Sequence, residues 1–221
     1  MSKEKLKLGL RFANAVIDPK TINEEDRSVE VTFATETPVE QYIMGEYGFE
    51  VLRCANKNID LGRFKAGVVP LLDTHNRYSI KGQLGAASNP VIADETCRCT
   101  ITFSKREEVE PIWQDVKDGI IKGISAGYRV VQYIVDRTIG ETPYFYANKW
   151  EPREISLAPV PADGNSNIRS SVNDEDLNEC EIIEKSRTEM TEKEKLAAKK
   201  IADEKIAAEK LEAKTRAAGG T

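Results

Sequence analysis

Ser125 lies in Gly123-Ile124-Ser125-Ala126-Gly127, a G-x-S-x-G pattern. A serine hydroxyl is a weak nucleophile until a base takes its proton, and near neutral pH histidine is the usual base. The chain has one histidine, His75, in VVPLLDTHNR just after an apolar run. A third group would fix the imidazole tautomer and stabilise the imidazolium. With no second histidine, that group must be a carboxylate, an amide or water. Glu154, in KWEPREISLAPVPADGN, is one candidate. In a strand, Ile155 and Leu157 would share the buried face and leave Glu154 and Ser156 on the other. Asp73, two residues before His75, is a rival. The same residues also permit a plainer reading: a surface histidine, a turn serine, a solvent-facing strand glutamate and an aspartate that caps a turn.

The pattern does not fit a nucleophile elbow. An elbow runs strand, serine, helix, with the histidine later in the chain. Here IWQDVKDGI precedes the serine, the strand-like YRVVQYIV follows it, and His75 comes first. An esterase built on an elbow is therefore disfavoured.

These residues must be positioned by a chain that alternates with period two over most of its length. LKLGLRF, VEVTF, RYSIKGQL, CRCTITF, YRVVQYIV, TPYFYANKW and REISLAPV read as strands separated by Gly, Pro, Asn and Asp. One segment differs. Glu107 to Ile120 places Val109, Ile112, Trp113 and Val116 at helical spacing and has Gly119 at its end. After Ser170 the composition shifts to an acidic stretch and then to TEKEKLAAKKIADEKIAAEKLEAK, rich in strong helix formers. Leu196, Ile201, Ile206 and Leu211 recur every five residues, which spreads them around a helix and makes no coiled-coil seam. The expected organisation is a domain over 1–170 and a charged helical or flexible tail over 171–221.

Composition narrows the function classes. The formal net charge of −5 disfavours a general nucleic-acid binder. No apolar run reaches the roughly 20 residues of a membrane-spanning helix. Cys54, Cys97, Cys99 and Cys180 form no C-x-x-C pair and are read as reduced. With a single histidine, no metal site is expected, and no cofactor.

Taken in order, LLDTH, GISAGYRV and W-x-P-x-E-I-S-L-x-x-V-P-A-D resemble the prohead (capsid maturation) proteases of tailed bacteriophages, a family that shares its fold with the herpesvirus assemblins. The resemblance spans roughly residues 5 to 170. It implies an α+β fold, with a β-barrel-like, assemblin-like core flanked by helices and followed by the charged helical tail. It also implies a serine endopeptidase that cuts scaffold and coat segments, and itself, inside an assembling procapsid in the host cytoplasm. Ser125 would attack, His75 would serve as base and then acid, and Glu154 would orient His75. Backbone groups of Ala126 and Gly127, with Arg129, are the candidates near the oxyanion. The partners implied are capsid and scaffold proteins. The alternative is a non-catalytic capsid assembly or scaffold protein that keeps the fold.

Overall fold

The structure, a computed structural model, describes residues 3–138, 142–158 and 177–185. In chain order the strands are β1 (Lys3–Leu8), β2 (Arg11–Asn23), β3 (Ser28–Thr35), β4 (Val39–Ile43) and β5 (Glu46–Leu52). After a one-turn helix, α1 (Gly62–Lys65), come β6 (Val69–Asp73), β7 (Gln83–Ala93) and β8 (Thr96–Phe103). A two-turn helix, α2 (Glu110–Lys117), then leads to β9 (Ile124–Asp136), β10 (Tyr144–Leu157) and β11 (Asn178–Glu184). Two 3₁₀ turns, Ile80–Gly82 and Glu107–Val109, complete the regular structure of the described residues.

Alternation decides which face is buried. In β3, Val29, Val31 and Phe33 are buried while Glu30 is exposed. In β8, Cys97, Cys99, Ile101 and Phe103 point inward and Arg98 outward. The two strands pair antiparallel with Val31 opposite Cys99 and Val29 opposite Ile101, so a one-residue slip would turn both sets to solvent. The hairpins that fix such registers are tight. Met44 and Gly45 (φ 53° and 89°) join β4 to β5, and Asp94 and Glu95 (φ 50° and 57°) join β7 to β8. Two successive positive φ values match the twist of the flanking strands, as primed two-residue turns require.

The strands close on themselves. Around the ring run β9, β2, β3, β8, β7, β6 and β10, and β10 returns to β9 by antiparallel pairing. β9 and β10 are long enough to do more. The first residues of β9, Ile124 to Tyr128, pair with β2, while Gln132 to Val135 carry β11 and through it β1. Likewise Ile155 to Leu157 of β10 pair with β6, while Tyr144 to Ala147 carry β5 and then β4. A closed barrel at one end of the β9–β10 ribbon thus opens into a wider sheet at the other. Helix α2 buries Trp113 and Val116 against the barrel, with the Trp113 ring 5.0 Å from that of Phe103. It ends at Gly119, whose φ of +69° a side chain would resist.

The expected α+β, assemblin-like class with flanking helices is corrected by this architecture. The fold is a β-barrel, and among the described residues its helical content is one turn, two turns and two 3₁₀ turns. The physical reason is that the helix-forming composition gathers beyond residue 185, outside the described residues. The tail helix expected there lies outside them too. Asn178–Glu184, which composition assigns to the tail, is a strand between β1 and β9 with Cys180 and Ile182 buried.

The wide end of the ribbon is held by a buried ion-pair network. Glu50 accepts from Arg11 Nε (2.9 Å) and Nη2 (3.1 Å), from the Tyr128 hydroxyl (2.7 Å) and from the Tyr133 hydroxyl. Burial, and then the Glu50 charge, raise the Tyr133 and Tyr128 phenols well above their ordinary value, so both stay donors. Removing one partner of a buried pair strands the other. Glu50→Ala should therefore lower stability by about 3–5 kcal/mol in urea unfolding; a loss below about 1 kcal/mol would mean Arg11 relaxes to another acceptor. The thiols supply a second test. Burial pushes Cys99 up and Cys180 up to about 12, and all four cysteines are buried and free. Ellman's reagent should find no reactive thiol in the native chain at mildly alkaline pH and all of them after denaturation.

Candidate functional site

The barrel end of the ribbon brings together most of the residues singled out by their chemistry. β6 ends at Asp73, and the chain reverses through Thr74 and His75, with Asn76 N–H donating to the Asp73 carbonyl at 2.8 Å. Both central residues are left-handed, Thr74 at φ 44° and His75 at φ 61°. That conformation is costly for a β-branched threonine. It is held because Thr74 N–H donates to the Leu157 carbonyl (2.9 Å), which ties the turn to the end of β10. The turn aims the imidazole back at the sheet, where it packs on the Phe12 ring with centroids 4.2 Å apart.

Glu154 meets it there. The His75 Nδ1 and a Glu154 carboxylate oxygen form a short contact, with the glutamate side chain only 1% exposed and the histidine 27%. A carboxylate only accepts, so Nδ1 carries the proton and donates. The Ser156 hydroxyl donates to the same carboxylate oxygen at 3.2 Å. The second oxygen, Oε2, is buried and has no hydrogen-bond partner among the described residues. Asp73 is exposed and Glu154 holds the place beside the ring.

Gly127 makes that placement possible. It sits opposite Glu154 in the β9–β10 register, and a Cβ there would lie 2.6 Å from Glu154 Cγ. The second glycine of G-x-S-x-G thus leaves room for a buried carboxylate. Gly127 and Ala126 both lie between two paired strands, β2 and β10, and their amides belong to that sheet. Arg129 is half-buried, opposite Glu151 on β10.

Ser125 lies inside β9, fully buried, opposite Ser156 and Asn14 in the two flanking strands. Its hydroxyl donates to the Ala13 carbonyl at 3.1 Å, and among the described residues no hydrogen bond joins it to His75. The structure therefore joins His75 to Glu154 and places Ser125 on a neighbouring strand with its proton already committed. Sequence reasoning placed Ser156 on the Glu154 face without giving it a role, and gave Phe12 none. A role for Ser156 could be read from its i+2 spacing to Glu154; Phe12 carries no local signal, because only the β2–β9 pairing brings it near. Among the described residues no group of three or more His, Cys, Asp or Glu is placed to hold a metal.

Over 138 residues, 62% of its length, the chain is 36% identical to the major capsid protein of Halomonas phage phiHAP-1. The match covers 22% of that protein, so the chain spans about a fifth of its length. No family model matches the sequence, and no solved structure matches the fold. The relationship is thus to a phage capsid protein, and this corrects two expectations. The resemblance to prohead proteases gives way to similarity with a protein named for the shell. With it goes the expected serine endopeptidase, with its scaffold and coat substrates and its self-cleavage. The buried Ser125 hydroxyl, engaged by a backbone carbonyl, agrees with that correction.

If Gly127 exists to admit Glu154, the two are energetically coupled. Gly127→Ala should cost about 1–3 kcal/mol by overpacking. The same change in a Glu154→Ala background should cost much less, giving a coupling above about 1 kcal/mol in a double-mutant cycle. Additive losses would show that Gly127 serves the strand backbone and not the carboxylate.

Proposed function

We propose that the chain is a non-catalytic structural element of a phage capsid, working in shell assembly. The observation that carries this reading is the 36% identity over 138 residues to a major capsid protein. The geometry agrees with it. A closed barrel with sheet extensions at one end is a rigid unit, and β4 at the sheet's edge leaves one strand side unpaired among the described residues. The polar groups of the site are largely turned to each other, which suits a positioning cluster: His75 on Glu154, Ser156 on Glu154 and Ser125 on Ala13. On this reading the partners are capsid subunits, including copies of the chain, and its place is the assembling procapsid or virion in an infected cell.

The reading is tested by assembly. Co-expressed with a coat protein of the same phage, the chain should co-sediment with shell-sized particles on a sucrose gradient and be visible in them by electron microscopy. A chain that stays monomeric at the top of the gradient while shells form normally would overturn the proposal. A second test addresses the serine directly. A fluorophosphonate probe should leave Ser125 unmodified by intact-mass and peptide analysis, because its hydroxyl is buried and hydrogen-bonded. A stoichiometric adduct at Ser125, lost in His75→Ala, would restore a nucleophilic role.

A further inference from the structure

A cleft of about 350 Å³ opens on the outer side of Glu154. Arg63 from α1, Arg153 from β10 and Arg77 from the loop after β6 line it, with Asn76 and Ser79. These cations arrive from separate elements, so the cluster is a product of the fold and not of a basic run in the sequence. Arg63 is half-buried and makes no ion pair among the described residues; its guanidinium donates to the Val68 carbonyl at 3.0 Å, and its Nε is buried with no hydrogen-bond partner. Burial first, and then the nearby Arg153 and Arg129 charges, hold Arg63 below its ordinary value, with Glu151 opposing them. Arg153 already shares Glu151, at 3.0 Å. Arg63, partly desolvated beside Arg153, is repelled by it unless an anion joins them.

The rim of the cleft indicates what kind of anion. Tyr78 is 74% exposed and Ile80 84% exposed, on the same loop that carries Arg77. Exposed aromatic and aliphatic side chains beside arginines are the make-up of a protein contact. A nucleic-acid track would need a continuous basic face, and this chain carries a net charge of −5.

We propose that the cleft bounded by Arg63, Arg77 and Arg153 is a binding site for an acidic peptide segment, whose carboxylates the arginines receive and whose backbone lies against Tyr78 and Ile80. Planar guanidinium groups take carboxylates in paired hydrogen bonds, so loss of one arginine weakens the contact substantially. This proposal does not depend on the capsid reading, and its test measures binding alone.

The test is a fluorescence-anisotropy titration of the full chain against labelled hexaglutamate, with hexalysine and a short oligothymidylate as comparators. Hexaglutamate should bind saturably and weaken with added salt, and hexalysine should not bind. Arg63→Gln and Arg153→Gln should each lower affinity roughly tenfold or more, as loss of a charged hydrogen bond does. Arg63→Lys should retain part of it, and Lys5→Gln, at a distant exposed pair with Glu179, should change nothing. If Arg63→Gln fails to fold by circular dichroism, Arg63→Lys and Arg153→Gln carry the comparison. Absence of saturable binding, or equal affinity in all variants, overturns the proposal. So does tighter binding of the oligothymidylate through the same arginines, which would make the cleft a phosphate site.

Discussion

The antiparallel pairing of β9 with β10 is the contact on which the rest of the molecule depends. It converts an open sheet order into a closed ring, and closure removes the barrel's free edges. It also sets the register that places Gly127 against Glu154 and Ser125 against Ser156. Shifts of register at Ala147/Lys149, Lys149/Trp150 and Pro152/Glu154 interrupt the ribbon. Such irregularities bend a strand and increase its twist, which lets one pair of strands serve a closed barrel at one end and an open sheet at the other. The last shift falls next to Glu154, where Pro152 cannot donate to the ladder.

Much of the barrel was legible because alternation reports burial directly. Val29, Val31 and Phe33, or Cys97, Cys99 and Ile101, are inward in the structure as in the pattern. The short helix ending at Gly119 was legible for the same reason, its apolar spacing being 3.6 and not 2. What stayed hidden was long-range pairing. Parallel neighbours such as β10 with β5 and β6, or β11 with β9, leave no mark in a local window. The acidic, polar surroundings of β11 made a buried strand look like part of a charged tail, although ECEII alternates and carries the fully buried Cys180. Glu50 was hidden in another way. In YGFEVL it is a charge inside an apolar run, a sign of a buried, partnered carboxylate, but its partners lie on β2 and β9.

The site was partly legible for a similar reason. His75 and Glu154 could be named from residue type, and the turn that joins them could not. Thr74 and His75 are not residues that a turn with two left-handed positions would select; Asn and Gly are. The strain survives because the turn is pinned at Leu157 and packed at Phe12. Ser125 shows the converse. G-x-S-x-G is a local pattern, and local patterns do not say whether a serine stands on an exposed loop or inside a strand. Here the glycine that suggests a turn is required by a carboxylate on the neighbouring strand, a reason that belongs to the sheet.

Two of the buried carboxylates, Glu50 on β5 and Glu154 on β10, are treated differently. Glu50 receives four donors from Arg11, Tyr128 and Tyr133, drawn from two other strands. Every lone pair in reach is used, so the network stiffens the sheet and leaves nothing for a ligand. Glu154 is as deeply buried, yet both of its donors, His75 and Ser156, converge on one oxygen, and Oε2 has none among the described residues. An unpaired buried carboxylate oxygen costs free energy that a complete network would recover. A strained turn, a close-packed glycine and an incomplete carboxylate therefore meet at one end of the ribbon, beside the arginine-lined cleft. Local cost of this kind persists where the surrounding fold holds a geometry for a purpose other than stability.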